Sequence, residues 1–272
     1  MVQTDPGSGF QTRNIDAGTV PQLVSALDLQ EANSGVRRLR EWAFEALAPG
    51  AGERVLDIGA GTGSGTRALA AVVGASGSAL GIEPNAGLRS VAEERAAASR
   101  STARFMDGDA LSLPLSAGTV DAVWCERVLQ HLAEPERAVA EMARVLRPGG
   151  RVALLDTDWA TTVLHPGDPD IMSALTSGAL TSAANPYSGR RLVGQLTAAG
   201  FVIDDRGSQS LLQDHQSVAW PLIRMLGEAA VRRGRLTESQ RDSAYKALSE
   251  AAEHGGLHMS VTMFGVVAHK AR

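Results

Sequence analysis

Val55-Leu56-Asp57-Ile58-Gly59-Ala60-Gly61-Thr62-Gly63 is a short apolar run that ends in alternating glycines. A run of this length bounded by turn residues reads as a buried strand. Glycine belongs where a chain turns tightly or brings its backbone close to a ligand. Residues 67–73 follow with helical periodicity, so the unit is strand, glycine turn, helix. The alternation continues downstream. Strands are predicted at 78–82, 103–106, 120–125 and 152–155, and helices at 86–99 and 136–146. Pro135 suits the first turn of the second helix, and Arg147-Pro148-Gly149-Gly150 stops it. Short apolar runs joined by amphipathic helices predict an α/β fold, a doubly wound and mainly parallel sheet covered on both faces.

Upstream, residues 20–47 are helical in pattern, with Leu23, Leu27, Val36, Leu39, Trp42 and Phe44 at roughly helical spacing. Asn33-Ser34-Gly35 offers a break, and Pro49-Gly50-Ala51-Gly52 ends the stretch. Residues 1–19 are polar and predicted to fray. Downstream the regularity fails after Trp159. A weak helix is predicted around 171–180 in a Pro- and Ser-rich segment, then helices at 190–199, 218–232 and 238–254. The last opens with Thr237 and Gln240 at capping-box spacing. Strands are expected at 201–204 and 259–269. The expected organisation is a flexible N-terminus (1–19), N-terminal helices (20–48), a core (49–159), and a helical cap with the closing strands (160–272).

The chain has 272 residues, 44% hydrophobic and 21% charged, which excludes disordered, collagen-like and coiled-coil classes. A formal charge of −4 lacks the basic excess of a dedicated nucleic-acid binder. Cys125 is the single cysteine, so no internal disulfide or multi-cysteine metal site is possible. No run of 18 apolar residues and no basic-then-apolar leader is present, so a cytoplasmic chain without a membrane span is expected. Nothing in the sequence bears on oligomeric state.

Glu83 ends the second predicted strand, and Asp107-Gly108-Asp109-Ala110 follows the third. An acid at the end of the second strand accepts hydrogen bonds from ribose hydroxyls, provided the glycine turn is a ligand loop. Otherwise Glu83 is a solvated carboxylate and Asp107-Gly108 a simple turn. A nicotinamide-binding turn would read Gly-x-Gly-x-x-Gly, but Ser64 stands three beyond Gly61.

Asp57-x-Gly59-x-Gly61-x-Gly63, Glu83, Asp109-Ala110 and Leu146-Arg147-Pro148-Gly149-Gly150 together resemble the class I S-adenosylmethionine-dependent methyltransferases. The likeness is to the small-molecule branch related to ubiquinone and menaquinone C-methyltransferases and actinobacterial natural-product methyltransferases. It implies a Rossmann-like seven-stranded sheet with an antiparallel last strand, matching 259–269. It also implies that Asp57, Gly59, Gly61, Thr62 and Gly63 bracket the methionine part of S-adenosyl-L-methionine. Glu83, with Pro84 beside it, would hold the ribose, Asp109 and Ala110 the adenine, and Glu126 the amino-acid or sulfonium end.

Methyl transfer needs alignment and exclusion of water, and a protic acceptor also needs a base. His131 and Asp158, after the fourth and fifth strands, are the candidates; a packing histidine and a capping aspartate are the plain alternatives. His165, Tyr187, His215, His254 and His258 are further possible pocket residues. Trp159, Trp220, Met225 and Met263 would shape an apolar cavity or simply fill the core. Arg190-Arg191 would meet an anionic substrate or begin a solvated helix. Cys125 reads as core, and no carboxylate cluster suggests a metal. The expected function is methyl transfer to O, C or N of a small organic acceptor, a secondary metabolite or quinone-like ring. The alternatives are a fold relative that binds the cofactor but catalyses another reaction, such as cyclisation, and a nucleotide-sensing module.

Overall fold

The computed structural model describes residues 17–181, 183–213 and 220–271. His215 and the first residues of the helix expected from Val218 lie outside the described residues, as does 1–16. A 3-10 turn, Ala17–Thr19, leads into α1 (Val20–Ala32), and α2 (Ser34–Leu47) follows. The break between them is Asn33, whose side chain accepts from the amides of Gly35 and Val36 and so caps α2. Alternating strands and helices come next: β1 (Arg54–Ile58), α3 (Ser64–Val73), β2 (Ser78–Ile82), α4 (Ala86–Ala98), β3 (Arg104–Met106) and β4 (Val120–Glu126). A 3-10 turn, Leu129–His131, precedes α5 (Pro135–Val145) and β5 (Leu146–His165). The remainder is α6 (Pro169–Thr176), a 3-10 turn Ser177–Thr181, α7 (Ser188–Ala198), β6 (Phe201–Leu212), α8 (Trp220–Arg232), α9 (Glu238–Glu253) and β7 (His258–Lys270).

The seven strands form one sheet in the order β3-β2-β1-β4-β5-β7-β6. β1 to β5 run parallel, and β7 runs antiparallel to both β5 and β6. Chain order reverses between β1 and β4, which opens a crevice at their C-terminal ends. Strand alternation divides the core. Leu56, Ile58, Val123, Cys125 and Leu154 pack with Val139, Met142, Leu192 and Leu196 of α5 and α7. Val55, Ala122, Trp124, Ala153 and Leu155 pack with Leu39, Leu47, Leu69 and Val73 of α2 and α3. Period two thus sends successive residues to opposite helical layers.

Two strands exceed the sequence expectation. β5 continues to His165, across the expected boundary at 159, because β7 pairs with it from Arg151↔His269 to His165↔His258. The register slips between Asp158 and Val163. β6 continues from 201–204 to Leu212, since β7 pairs with it as far as Leu212↔Ser260. Its polar stretch Asp204-Asp205-Arg206-Gly207 concealed it, and outward charge is normal for an edge strand. The ends of β5 and β7 carry the cap. Leu164 and Met259 pack with Met172 and Leu175 of α6, Ile223 and Leu226 of α8, and Leu248 of α9 in a separate apolar cluster. No helix among the described residues is long and apolar enough to cross a membrane.

Candidate active site

The glycine loop between β1 and α3 is held in left-handed conformations, with φ of 73° at Gly59, 53° at Gly61 and 80° at Gly63. A side chain has a different consequence at each. A Cβ on Gly59 would collide with Val128, and one on Gly63 would lie 2.6 Å from the Phe105 ring. At Gly61 the nearest atom is Leu27 Cδ1 at 3.5 Å, an ordinary contact. Gly59 and Gly63 are therefore small for the protein's own neighbours, whereas Gly61 faces accessible space beneath α1.

Glu83 lies beside that open face. Its carboxylate accepts from Gly61 N at 3.0 Å and Asn85 N at 2.9 Å, and the residue is 3% exposed. Burial raises its pKa against those hydrogen bonds. Carboxylate oxygens carry about four acceptor sites, so further donors can be received. Pro84 is half-buried next to it, and Asn85 caps α4 through Leu88 N. Asp109 is half-buried in the turn after β3, where it accepts from Leu111 N at 2.9 Å, with Ala110 buried beside it. Thr62 is buried, and its carbonyl accepts from Arg67.

Asp57 is buried and accepts from Thr66 Oγ1 at 2.6 Å. Burial pushes its carboxyl up to about 7, with Glu126 and Glu83 adding to the rise and Arg40 opposing it. Glu126 ends β4 and binds Arg40 Nε of α2 at 2.6 Å and Arg127 Nη2 at 3.0 Å. Burial alone would raise the Glu126 pKa; the two guanidiniums outweigh it and hold the carboxylate low. Arg40 also meets Glu31 of α1 at 3.3 Å, and Arg127 donates to the Gln30 side chain.

His131 sits one turn past β4. Burial, then the charge of Arg127, depresses its pKa to about 4. The imidazole is thus neutral at pH 7, and its titration lies well below the near-neutral range expected from an unperturbed histidine. The turn carrying it is fixed by Gln130. Gln130 N donates to Asp156 Oδ2 at 3.0 Å, its Oε1 accepts from Trp159 Nε1 at 2.7 Å, and its carbonyl accepts from Asn185 N at 2.8 Å.

Asp158, the second candidate base, is engaged by Arg190. It shares strand parity with Leu154, on the face covered by α7, and it is fully buried. Both carboxylate oxygens accept from the Arg190 guanidinium of α7. That ion pair also answers for Arg190, and Arg191 donates to Asn185 Oδ1 at 3.1 Å. Tyr187 lies under both guanidiniums. Met263 is core, Trp220 packs edge-on to Tyr245, and Met225 is 45% exposed. His165 and His258 are exposed cross-strand partners, and His254 contacts the Glu250 carbonyl. Cys125 is core, its thiol pushed well up by burial. Among the described residues no group of three or more His, Cys, Asp or Glu could hold a metal.

Arg40, Arg127, Gln130 and Asp156 escaped sequence reasoning. Arg40 is one of several arginines on α2, and only packing selects it. Asp156 had a signal, an acid two residues before Asp158 on the same strand face. Burial raises its carboxyl to about 7.

Residues 56–154 match the methyltransferase domain family. The chain is 34% identical over 147 residues to the methyltransferase GfsG of Streptomyces halstedii, covering 53% of this chain and 51% of that protein. It is 36% identical over 111 residues to a demethylmenaquinone methyltransferase of Clavibacter sepedonicus, covering 41% of this chain and 44% of the relative. The chain thus spans about half the length of these curated relatives. A methyltransferase-like structure from Bacillus halodurans superposes with a TM-score of 0.61 at 17% identity, over 85% of this chain and 98% of that one, and so shares the fold. Residues 56–154 thus carry a methyltransferase domain.

Proposed function

We propose that this protein transfers a methyl group from S-adenosyl-L-methionine to a small organic acceptor, at O, C or N of a secondary metabolite or quinone-like ring. The supporting observation is the pairing of Glu83 with Gly61: a buried carboxylate with spare acceptor capacity beside a glycine whose outer face meets only the Leu27 side-chain tip, at 3.5 Å. A ribose with two hydroxyls suits those acceptors, and the cleared backbone admits the amino-acid portion.

S-adenosyl-L-methionine, when bound, supplies an activated methyl group. The chain's residues do the rest. Glu83 and Pro84 seat the ribose, and Asp109 with Ala110 borders the adenine. Asp57 accepts from the ammonium, while Gly59, Gly61, Thr62 and Gly63 shape the passage for the methionine chain. Glu126, fixed by Arg40 and Arg127, bounds the sulfonium end. Neutral His131 accepts the acceptor's proton, and the cap excludes water. No metal enters the scheme, nor does nucleic acid, and the reaction is placed in the cytoplasm.

Calorimetry with S-adenosylhomocysteine tests the site. Glu83→Ala is expected to weaken binding by about 1.5–3 kcal/mol, the range for hydrogen bonds to charged groups. Equal affinity in wild type and variant would remove Glu83 from the ribose role. Incubating methyl-labelled cofactor with phenolic and quinol acceptors then tests transfer itself. Tight binding with no label moved onto any acceptor would favour a cofactor-dependent reaction of another kind.

A further inference from the structure

We propose that Arg127 recognises the acceptor, its guanidinium receiving the oxygen of a phenol or enol and holding it as the anion. The inference rests on the methyltransferase reading of the site and adds the chemistry of what is methylated. Arg127 has φ of 55°, a left-handed backbone in a residue with a long side chain. The other described non-glycine residues with positive φ, Ala48 and Arg100, lie at or just after helix C-termini, where this conformation is ordinary. Arg127 follows a strand and has no such reason. Its amide donates to Leu155 O at 2.7 Å, and its carbonyl accepts from Gln130 Nε2 at 3.3 Å, so its neighbours impose the conformation. Strain held by its surroundings is characteristic of functional positions.

The guanidinium is also incompletely compensated. Its side chain is 15% exposed, its ion pair is with Glu126, a carboxylate shared with Arg40, and Asp156 and Glu31 act on it only as charges at longer range. Its other edge donates to the amide oxygen of Gln30, a neutral group. The bond to Gln30 is charge-assisted on the donor side alone, so an oxyanion in place of the amide adds a direct charge–charge attraction. Gln30 belongs to α1, which has no buried residue and is held by Asp28–Arg95 and Glu31–Arg40 ion pairs. Moving α1 off Arg127 therefore breaks polar contacts and leaves the apolar cores intact. Arg127 stands beyond Glu126 in the chain and close enough to His131 for its charge to be felt there.

The chemistry balances on these residues. The Arg127 charge acidifies the acceptor O–H, whose proton passes by way of His131 to solvent because an imidazole that titrates at about 4 does not retain it, and the electron pair stays on the oxygen. That pair forms the bond to the methyl carbon as the carbon–sulfur bond breaks, its electrons staying on sulfur.

The test uses the full chain saturated with S-adenosylhomocysteine and 4-nitrophenol as probe, whose phenolate absorbs in the visible. In wild type the ionisation midpoint of the bound probe is expected to fall by about 1–3 pH units, the effect of an opposite charge within hydrogen-bond reach. Arg127→Gln should abolish the fall, and Arg127→Lys should keep part of it. Gln30→Glu, a change on an exposed residue, should also abolish it by giving Arg127 an anion of its own. This second variant keeps the test decisive if Arg127→Gln does not fold. Absence of phenolate enrichment in wild type, or equal enrichment in Gln30→Glu, overturns the inference. S-adenosylhomocysteine affinity is read separately: if it does not bind wild type, the cofactor reading fails first; if it binds and the probe stays unshifted, this inference alone fails.

Discussion

Binding of S-adenosylhomocysteine should expel a proton from Asp57. The unliganded carboxyl is buried and raised to about 7, so about half the molecules carry the proton at pH 7. The ligand's ammonium favours the carboxylate and draws the pKa down. The sign follows from the two states: the free protein holds more proton than the complex, so affinity rises with pH. For a fall to below about 5, release is about 0.9 proton at pH 6, about 0.5 at pH 7 and near zero at pH 9. Affinity should rise about tenfold between pH 6 and pH 8, or about 1.4 kcal/mol. Calorimetry in two buffers of different ionisation enthalpy measures the proton directly. Asp57→Asn should eliminate the release and flatten the pH dependence. Because Glu83 and Asp156 are also raised by burial, release that persists in Asp57→Asn would refute the assignment. So would proton uptake in wild type, which would mean that the ligand buries Asp57 further without supplying a charge.

Other expectations follow from the same geometry. Gly61→Ala, strained by its φ of 53° but meeting only Leu27, should weaken S-adenosylhomocysteine binding and cost less stability than Gly59→Ala, which adds a collision with Val128; equal losses of melting temperature would erase the distinction. Arg190→Ala leaves Asp158 buried without its cation and should cost about 1–3 kcal/mol in denaturant unfolding, with cofactor affinity unchanged; reduced affinity would return Asp158 to the active site. His131→Ala should lower kcat by roughly 10²–10⁴, and the wild-type rate should show no histidine inflection near 6.5, because the imidazole titrates at about 4 and a nearby sulfonium pushes it lower. An inflection near neutrality that vanishes in His131→Ala would show the imidazole to be less buried than this.

The sheet was legible because its signals are local. Val55 to Ile58 alternate between two helical layers, and the glycines after them permit no regular continuation. The lengths of β5 and β6 were not legible, because their pairing partner β7 lies far along the chain and only that pairing keeps residues past 155 and 204 extended. The site divides in the same way. Glu83 and Asp57 stand at strand ends, and their positions follow from the order of elements. Arg40 depends on how α2 lies across the sheet, and Arg127 on a backbone conformation that no residue type announces. Asp158 follows a strand as Glu83 does, yet strand parity with Leu154 turns its carboxylate under α7, and that depends on packing the sequence does not display.

The charges are sorted in space, and the sorting constrains the reaction. Asp57 and Glu83, both raised by burial, lie around the glycine loop. Arg127, past the end of β4, and Arg40 of α2 both bind Glu126, and Arg40 alone of the two also acts on Asp57. Burial disfavours the ionised form of both carboxyls, and a cationic ligand relieves that desolvation. A buried cation with a neutral partner on one edge represents the opposite deficit. A ligand with positive charge on the acid side and an acceptor with developing negative charge on the cation side satisfy both at once. Methyl transfer consumes the anion on the cation side but leaves the ammonium against Asp57. The methylated acceptor should therefore bind more weakly than the reacting anion, while S-adenosylhomocysteine keeps its contacts on the acid side.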